Sequence, residues 1–311
     1  MNEWDHQIRR RTFLKLMAGL AGGYCLHAGT VSAQDRAPIR KAIASSGEQI
    51  PVIGMGTSRT FEAAGDQAMI ANLAGVMQTF FAQGGTVIDS SPMYGSSEQV
   101  IGRLLQTVIP GSGLFAATKV WTDGRESGIS QMEQSRRLWG IDRFDLIQIH
   151  NLRDWKVHYK TLMDMKAEGR IRYIGITTSH GRDHQELLSV LQKHPFDFVQ
   201  FSYNIGNREV ERALLPLAAQ RGIAVIVNRP FARGSLFGAT RGRPLPEWAA
   251  DFDCASWGQF FLKYAVSHPA VTCAIPATSK VHHMEDNMGA GFGRLPDAPM
   301  RKRMESYFES L

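Results

Sequence analysis

Asp89, Tyr94, Lys119 and His150 supply an acid, a phenol, an ammonium and an imidazole, each at or shortly after the end of a short apolar run. A free phenol holds its proton with a pKa of about 10, so it needs help to exchange that proton near neutral pH. An ammonium beside it favours the phenolate, a carboxylate holds the ammonium in place, and an imidazole on the same face can hydrogen-bond a substrate oxygen. Brought together, the four would deliver a proton to a developing oxyanion. Left apart, they would be a buried ion pair and a satisfied core histidine.

The stretch that carries two of the four, residues 84–98, reads GGTVIDSSPMYGSSE. Its apolar run ends at Asp89, a Ser-Pro loop leads to Tyr94 and Gly95, and a helical pattern begins at Ser96, which is the order strand, loop, helix. The same alternation fills the chain. Short apolar runs lie at 52–57, 86–89, 115–119, 146–150, 173–177, 198–202, 224–228 and 272–275. Amphipathic stretches lie at 67–83, 98–106, 127–139, 157–168, 184–193, 208–221, 256–266 and 281–288. Leu73, Val76, Met77 and Phe80 share one face of the first, and Leu187, Leu188 and Leu191 one face of the fifth. Eight strand-helix units predict an α/β fold, a closed (β/α)8 TIM barrel, with an N-terminal β-hairpin over 39–50 and a C-terminal extra helix. A doubly wound sheet is the competing arrangement. Its glycine fingerprint is incomplete here, because the turn GMGTSRTF has no third glycine after Gly54 and Gly56. In a barrel the site lies at the carboxyl ends of the strands, where Thr57, Asp89, Lys119, His150, Thr177 and Gln200 each end an apolar run.

The segments VIDSSPMYGSSE, Thr118 with Lys119, DLIQIHN at 145–151, GITTS from Gly175, QFSYN from Gln200 and IPATSKVHHMEDNMGA occur in one order along the chain. In that order the chain resembles the aldo-keto reductase family over residues 38–290. The resemblance implies a catalytic tetrad of Asp89, Tyr94, Lys119 and His150, with hydride taken from a reduced nicotinamide and Tyr94 protonating the alkoxide. It implies cofactor contacts at Gly56 and Thr57, and at Thr177, Thr178 and Gln200 around the carboxamide. It further implies Asn228 at the nicotinamide ring, Pro230, Gly234 and Leu236 along the pyrophosphate segment, and Ser279, Lys280 and His283 around the adenosine phosphate with Asp286 and Asn287 at the adenine. Two positions depart from the family pattern. Thr178 stands where Asn or Arg is common, and Asn228 stands where a Tyr or Trp usually stacks on the nicotinamide ring; an asparagine can hydrogen-bond but offers no aromatic platform. Arg229, Arg233, Arg241 and Arg243 in the next loop suit a diphosphate or a solvated basic loop. Candidate substrate contacts are Phe61, Met93, Trp121 and Asn151, and the substrate class is an aldehyde, ketone or quinone-like carbonyl.

The first 33 residues stand apart. Arg9, Arg10 and Arg11 open the run RRTFLK, an apolar segment at 16–26 follows, and Val31, Ser32 and Ala33 supply small residues for processing. This resembles a twin-arginine export signal cleaved after Ala33, with the twin-arginine translocase as its partner and the periplasm or another exported compartment as its destination. The barrel domain would then span 34–311. Losing four basic and two acidic residues lowers the net charge from +6 to +4, a mild excess that suits an anionic cofactor more than nucleic acid. No later segment approaches the roughly 20 apolar residues of a membrane span. Cys254 and Cys273 match no metal spacing; isolated apolar cysteines or a disulfide are both compatible with their positions.

Two functional readings follow. One is an exported reductase carrying tightly held NADP (NADPH); the other is a nicotinamide-binding sensor that rarely turns over and so tolerates Asn228. Lys280, at a helix N-terminus, favours NADP over NAD by supplying charge for the 2′-phosphate, with NAD still possible. NADPH is therefore expected to show the lower dissociation constant, and clearly tighter NADH in a titration of the purified protein would overturn the choice.

Overall fold

The computed structural model describes residues 37–111, 113–179 and 181–311. The export-signal reading of residues 1–33 lies outside them. Eight parallel strands form one sheet in sequence order: β3 (Met55–Gly56), β4 (Val87–Asp89), β5 (Phe115–Val120), β6 (Phe144–Ile149), β7 (Ile171–Thr177), β8 (Phe198–Ser202), β9 (Ala224–Asn228) and β10 (Cys273–Ala274). Backbone hydrogen bonds close the first strand on the last: Gly54 N donates to Ala274 O at 2.9 Å, Gly56 N to Pro276 O at 3.0 Å, and Ala274 N to Val52 O at 2.9 Å. The seam requires a glycine, since a Cβ on Gly56 would fall 2.7 Å from Ile275 O. The barrel expected from the eight alternating units is the observed fold.

Strand alternation divides the side chains into two sets. Val87, Phe115, Ala117, Leu146, Tyr173, Phe198, Ala224, Ile226, Cys273 and Ile275 form an inner cluster. Their neighbours in sequence, among them Ile88, Ala116, Ile147, Ile174, Val199 and Val225, join a larger cluster with the helices. This is the period-two pattern of a closed sheet with both faces covered. The helices that cover it are α1 (Gln67–Ala82), α2 (Ser97–Leu105), α3 (Arg125–Trp139), α4 (Trp155–Ala167), α5 (His184–Lys193), α6 (Leu214–Arg221), α7 (Leu236–Ala239), α8 (Trp257–Ser267), α9 (Val281–Gly289) and α10 (Ala298–Glu309). The stretch 208–221, read from sequence as one helix, is a 3-10 turn (Glu209–Arg212) followed by α6. Pro216 explains the break, because a proline is accommodated in a first helical turn but not in a helix interior.

The expected hairpin is β1 (Arg40–Ala42) paired antiparallel with β2 (Gln49–Pro51). Its Ile43 and Ile50 belong to the inner cluster, so the hairpin plugs the amino-terminal end of the barrel. Lys41 pins it: Nζ donates to the carbonyls of Val266 at 2.7 Å, His268 at 3.0 Å and Val271 at 2.7 Å. A cation there also suits the negative carboxyl end of α8. The extra C-terminal helix α10 is anchored by the buried Arg301, which donates to Tyr203 Oη at 2.6 Å and to Ser267 Oγ at 2.8 Å. Cys254 and Cys273 are both buried and unpaired. Among the described residues no helix is long and apolar enough to cross a membrane, and no cluster of ligating side chains could hold a metal ion.

Ile43 has no exposed surface. Replacing it with alanine is expected to lower unfolding stability by about 2–5 kcal/mol in a urea titration, without altering the opposite end of the barrel.

Candidate active site

The inner faces of the strands change character along the barrel axis. Below lie the aromatic and aliphatic residues of the inner cluster; above them, two residues further along their strands, come Asp89, Lys119, Gln148, Gly175, Gln200 and Asn228, with Thr177 two residues beyond Gly175. Strand register sets these side by side, with Lys119 opposite Gln148, Gln148 opposite Gly175, and Thr177 opposite Gln200. Gly175 makes room for this layer, because a Cβ there would approach Gln148 Cγ to 2.8 Å.

Lys119 and Asp89 form the centre. Lys119 Nζ is 2.5 Å from Asp89 Oδ2 and donates a second hydrogen bond to Ser90 O at 2.8 Å, with the lysine wholly buried. The other carboxylate oxygen, Oδ1, accepts from Gln148 Nε2 at 2.9 Å and Gln200 Nε2 at 3.1 Å. Burial alone would depress the ammonium, but the Asp89 carboxylate and the Tyr94 oxygen outweigh it and hold the lysine pKa above its ordinary value. Lys119 Nζ lies 5.3 Å from the centroid of the Tyr94 ring. The Tyr94 phenol is nevertheless raised: burial favours its neutral form, and the opposing pull of Lys119 does not reverse the sign. An ammonium beside a phenol pulls it toward phenolate, but in the folded chain desolvation outweighs that pull and the group stays a protonated acid.

His150 stands edge-on to Tyr94, with ring centroids 5.9 Å apart and an interplanar angle of 89°. Burial, helped by the Lys119 charge, pushes its pKa down to about 2, so the ring is a neutral imidazole. Its Nδ1 is 2.9 Å from Ser91 Oγ. Trp121 packs on the histidine at 5.1 Å and is backed by the Arg153 guanidinium 4.8 Å from its own ring. Arg153 in turn is held by both oxygens of Asp123, at 2.9 and 2.7 Å. Asn151 follows His150 at φ 51° and receives a hydrogen bond from Ser179 Oγ at 3.1 Å. Met93 is exposed on the loop, whereas Phe61 has no exposed surface and packs in the outer core.

On the cofactor side Thr177 Oγ1 accepts from Asn151 N at 3.1 Å, and Thr57 Oγ1 donates toward Asp89 O at 3.0 Å. Thr178 Oγ1 is buried without a partner. Asn228 is built into its surroundings: Oδ1 accepts from Ser202 Oγ at 2.6 Å, and Nδ2 donates to Thr178 O at 3.1 Å. Its amide thus holds the segment bearing Thr178. Pro230 and Leu236 are buried, while Gly234 is exposed at φ 91°. In the same loop Arg229, Ala232 and Arg233 all have positive φ, and burial with the neighbouring Arg233 charge lowers the Arg229 pKa to about 10. Lys280 is the exposed N-cap residue of α9, with His283 in the first turn stacked edge-on against His282 at 4.4 Å. The Ser279 carbonyl accepts from Asn72 Nδ2. Asn287 is buried, and both Asp286 oxygens are engaged within the protein, by Ser256 Oγ at 2.7 Å and Gln259 Nε2 at 3.0 Å.

Sequence reasoning missed Gln148, Ser91 and Glu98. Gln148 was visible in DLIQIHN as the inward residue between Leu146 and His150. Glu98 is buried outside the sheet, accepting from Thr118 Oγ1 at 2.6 Å, Ser135 Oγ at 2.7 Å and Trp139 Nε1 at 3.3 Å. It ties α2 and α3 to the outward face of β5 directly behind Lys119.

The model of the aldo/keto reductase family matches residues 52–306. Methylglyoxal reductase YeaE of Escherichia coli strain K12 is 28% identical over 258 residues, covering 80% of this chain and 88% of that protein. An uncharacterized oxidoreductase of Schizosaccharomyces pombe is 32% identical over 218 residues, covering 65% and 68%. Among solved structures, an aldo/keto reductase from Klebsiella pneumoniae in complex with NADP and acetate has a TM-score of 0.72 at 21% identity, over 88% of this chain and 95% of that one, a likeness of fold. The thermostable aldo-keto reductase Tm1743, in complex with the inhibitor epalrestat, has a TM-score of 0.72 at 25% identity over 86% and 99%.

Proposed function

Because the chain belongs to the aldo/keto reductase family and is an NAD(P)H-dependent oxidoreductase, we propose that it reduces an aldehyde or ketone to the alcohol with NADPH, Tyr94 giving the proton. The observation that carries this reading is the meeting of Tyr94, the buried Lys119–Asp89 pair and a neutral His150 at one end of the barrel. The same assembly favours turnover over a sensor that merely binds nicotinamide.

NADPH, when bound, supplies the hydride. The residues around Thr178 fit it: a buried hydroxyl without a partner, with Gln200 and Asn228 nearby, is a group that a carboxamide would satisfy. Lys280 and the first turn of α9 would meet the adenosine 2′-phosphate. Structures of the Klebsiella pneumoniae and Bombyx mori enzymes in complex with NADP or NADPH support that choice. Asp286, engaged by Ser256 and Gln259, would shape the adenine side by holding α8 and α9 together.

For the chain's own part, the substrate oxygen lies between the Tyr94 hydroxyl and the His150 ring. Neutral imidazole donates a hydrogen bond without competing for the proton. As negative charge develops on that oxygen, Tyr94 releases its proton, and the Lys119 ammonium stabilises the phenolate left behind. Asp89, Gln148 and Gln200 keep the ammonium fixed. Trp121, Asn151 and Met93 would border the carbonyl's substituent, with Phe61 behind them.

Export by the twin-arginine route rests on RRTFLK and the apolar segment after it. The exported protein is expected to begin at Gln34 when its N-terminus is sequenced; recovery of only full-length chain from the cytoplasm would sink this part.

Tyr94→Phe is expected to bind NADPH as wild type does while turnover falls by about 10²- to 10⁴-fold. Methylglyoxal and nitrobenzaldehyde are suitable substrates, the first suggested by the Escherichia coli relative. Tyr94 must be protonated to act, its pKa is raised, and His150 is already neutral. The wild-type rate of reduction should therefore stay level from about pH 5 to about pH 9 and fall only at higher pH. Retained turnover in Tyr94→Phe, or an inflection near pH 6.5 that His150→Gln abolishes, overturns the assignment.

A further inference from the structure

We propose that Ser91 is a positioning residue that fixes the tautomer of His150: its hydroxyl donates to Nδ1 and so leaves the ring proton on Nε2, the nitrogen available to a substrate oxygen. The inference rests on the reading of His150 as the group that binds the carbonyl. It concerns which atom of that ring carries the proton and what decides it.

Ser91 is fully buried on the loop between β4 and α2, with Oγ 2.9 Å from His150 Nδ1. The same oxygen accepts from Met93 N at 3.3 Å. The hydroxyl proton therefore needs an acceptor, and Nδ1 is the one acceptor within reach among the described residues. If Nδ1 instead carried the proton and donated to Ser91, the hydroxyl of this fully buried residue would hold a proton with no protein acceptor among the described residues to receive it. Leaving a buried donor unsatisfied costs about 1–3 kcal/mol, enough to bias the tautomers at least fivefold and up to more than a hundredfold. Nε2 would then present a lone pair to the carbonyl oxygen, which repels rather than binds.

The surroundings make the choice binary. Burial keeps the ring neutral, so only one nitrogen is protonated at a time. Trp121 and Tyr94 both pack against the ring, at 5.1 and 5.9 Å between centroids, and restrain its plane. Nε2 makes no hydrogen bond within the described residues, which leaves it for the substrate. The hydrogen bond at Nδ1, not rotation of the ring, thus decides what faces the reacting oxygen.

The test is long-range ¹H–¹⁵N NMR of histidine-labelled wild-type protein with NADPH, His150 being assigned by its loss in His150→Gln. A protonated Nε2 with an unprotonated Nδ1 is expected near neutral pH; a protonated Nδ1 overturns the proposal. In Ser91→Ala the ring should shift to a mixture of tautomers, with kcat lowered by about tenfold and the NADPH dissociation constant unchanged within about twofold. Ser91→Cys keeps a weak donor and should recover part of kcat; an Ala variant with wild-type kcat and wild-type ring shifts also overturns it. The wild-type spectrum does not depend on any variant folding. Absence of turnover in the wild-type protein would count against the reductase reading, and the ring spectrum, taken without substrate, still decides between the tautomers.

Discussion

A lysine with no solvent exposure is costly to bury, by several kcal/mol even after relaxation, and the barrel of this protein is organised around meeting that cost. Asp89 supplies the opposite charge at 2.5 Å, and Ser90 O takes a further ammonium proton. The carboxylate's remaining oxygen is saturated by Gln148 and Gln200, drawn from two other strands. The pair therefore depends on the register of the strands on which its partners lie. Slipping β5 by one residue would turn Thr118 inward and drive Lys119 out toward Glu98 and the helices. Thr118 and Lys119, adjacent in the chain, serve opposite faces of one strand: one clamps α2 and α3 through Glu98, the other holds charge beside Tyr94.

The two ends of the barrel are built for different purposes. The amino-terminal end is apolar and plugged by the hairpin, whose Ile43 and Ile50 complete the inner cluster and whose Lys41 caps α8. The carboxyl end carries polar side chains and strained loops. All nine non-glycine residues with positive φ among the described residues lie in connections that leave this end: Arg59, Asn151, Leu152, Asp154, Asp183, Arg229, Ala232, Arg233 and Asp253. Each costs on the order of 1 kcal/mol for a residue with a Cβ. Stability gathered at the plugged end can support that strain, which concentrates where ligands are handled.

Much of the fold was legible because its signals are local. Eight short runs separated by eight amphipathic stretches, with no third glycine after Gly54 and Gly56, favour a barrel over a doubly wound sheet, and α5 coincides with the stretch 184–193. Boundaries differ where a single residue overrides the periodicity, as at Pro216, where 208–221 divides into a 3-10 turn and α6. The tetrad was legible for the same reason: each member ends or follows a strand, and strand ends in a barrel converge. Asn228 read in isolation was a lost aromatic platform. In the folded chain it is a clamp on Ser202, Gln200 and the Thr178 carbonyl, a role that no spacing announces.

The sequence by itself determined the alternation of strand and helix, the two-residue rhythm that sends Asp89, Lys119, Gln148 and Gln200 inward, and the family whose motifs this chain carries. These follow from chemistry repeated at fixed intervals along the backbone. Only the tertiary structure decided which hydrogen bonds each polar group would make: that Asp286 turns to Ser256 and Gln259, that Glu98 anchors two helices, that Ser91 meets His150 Nδ1, and that burial outweighs Lys119 in keeping Tyr94 protonated. Such partners come from segments far apart in the chain, and desolvation exists only once the barrel has closed around them.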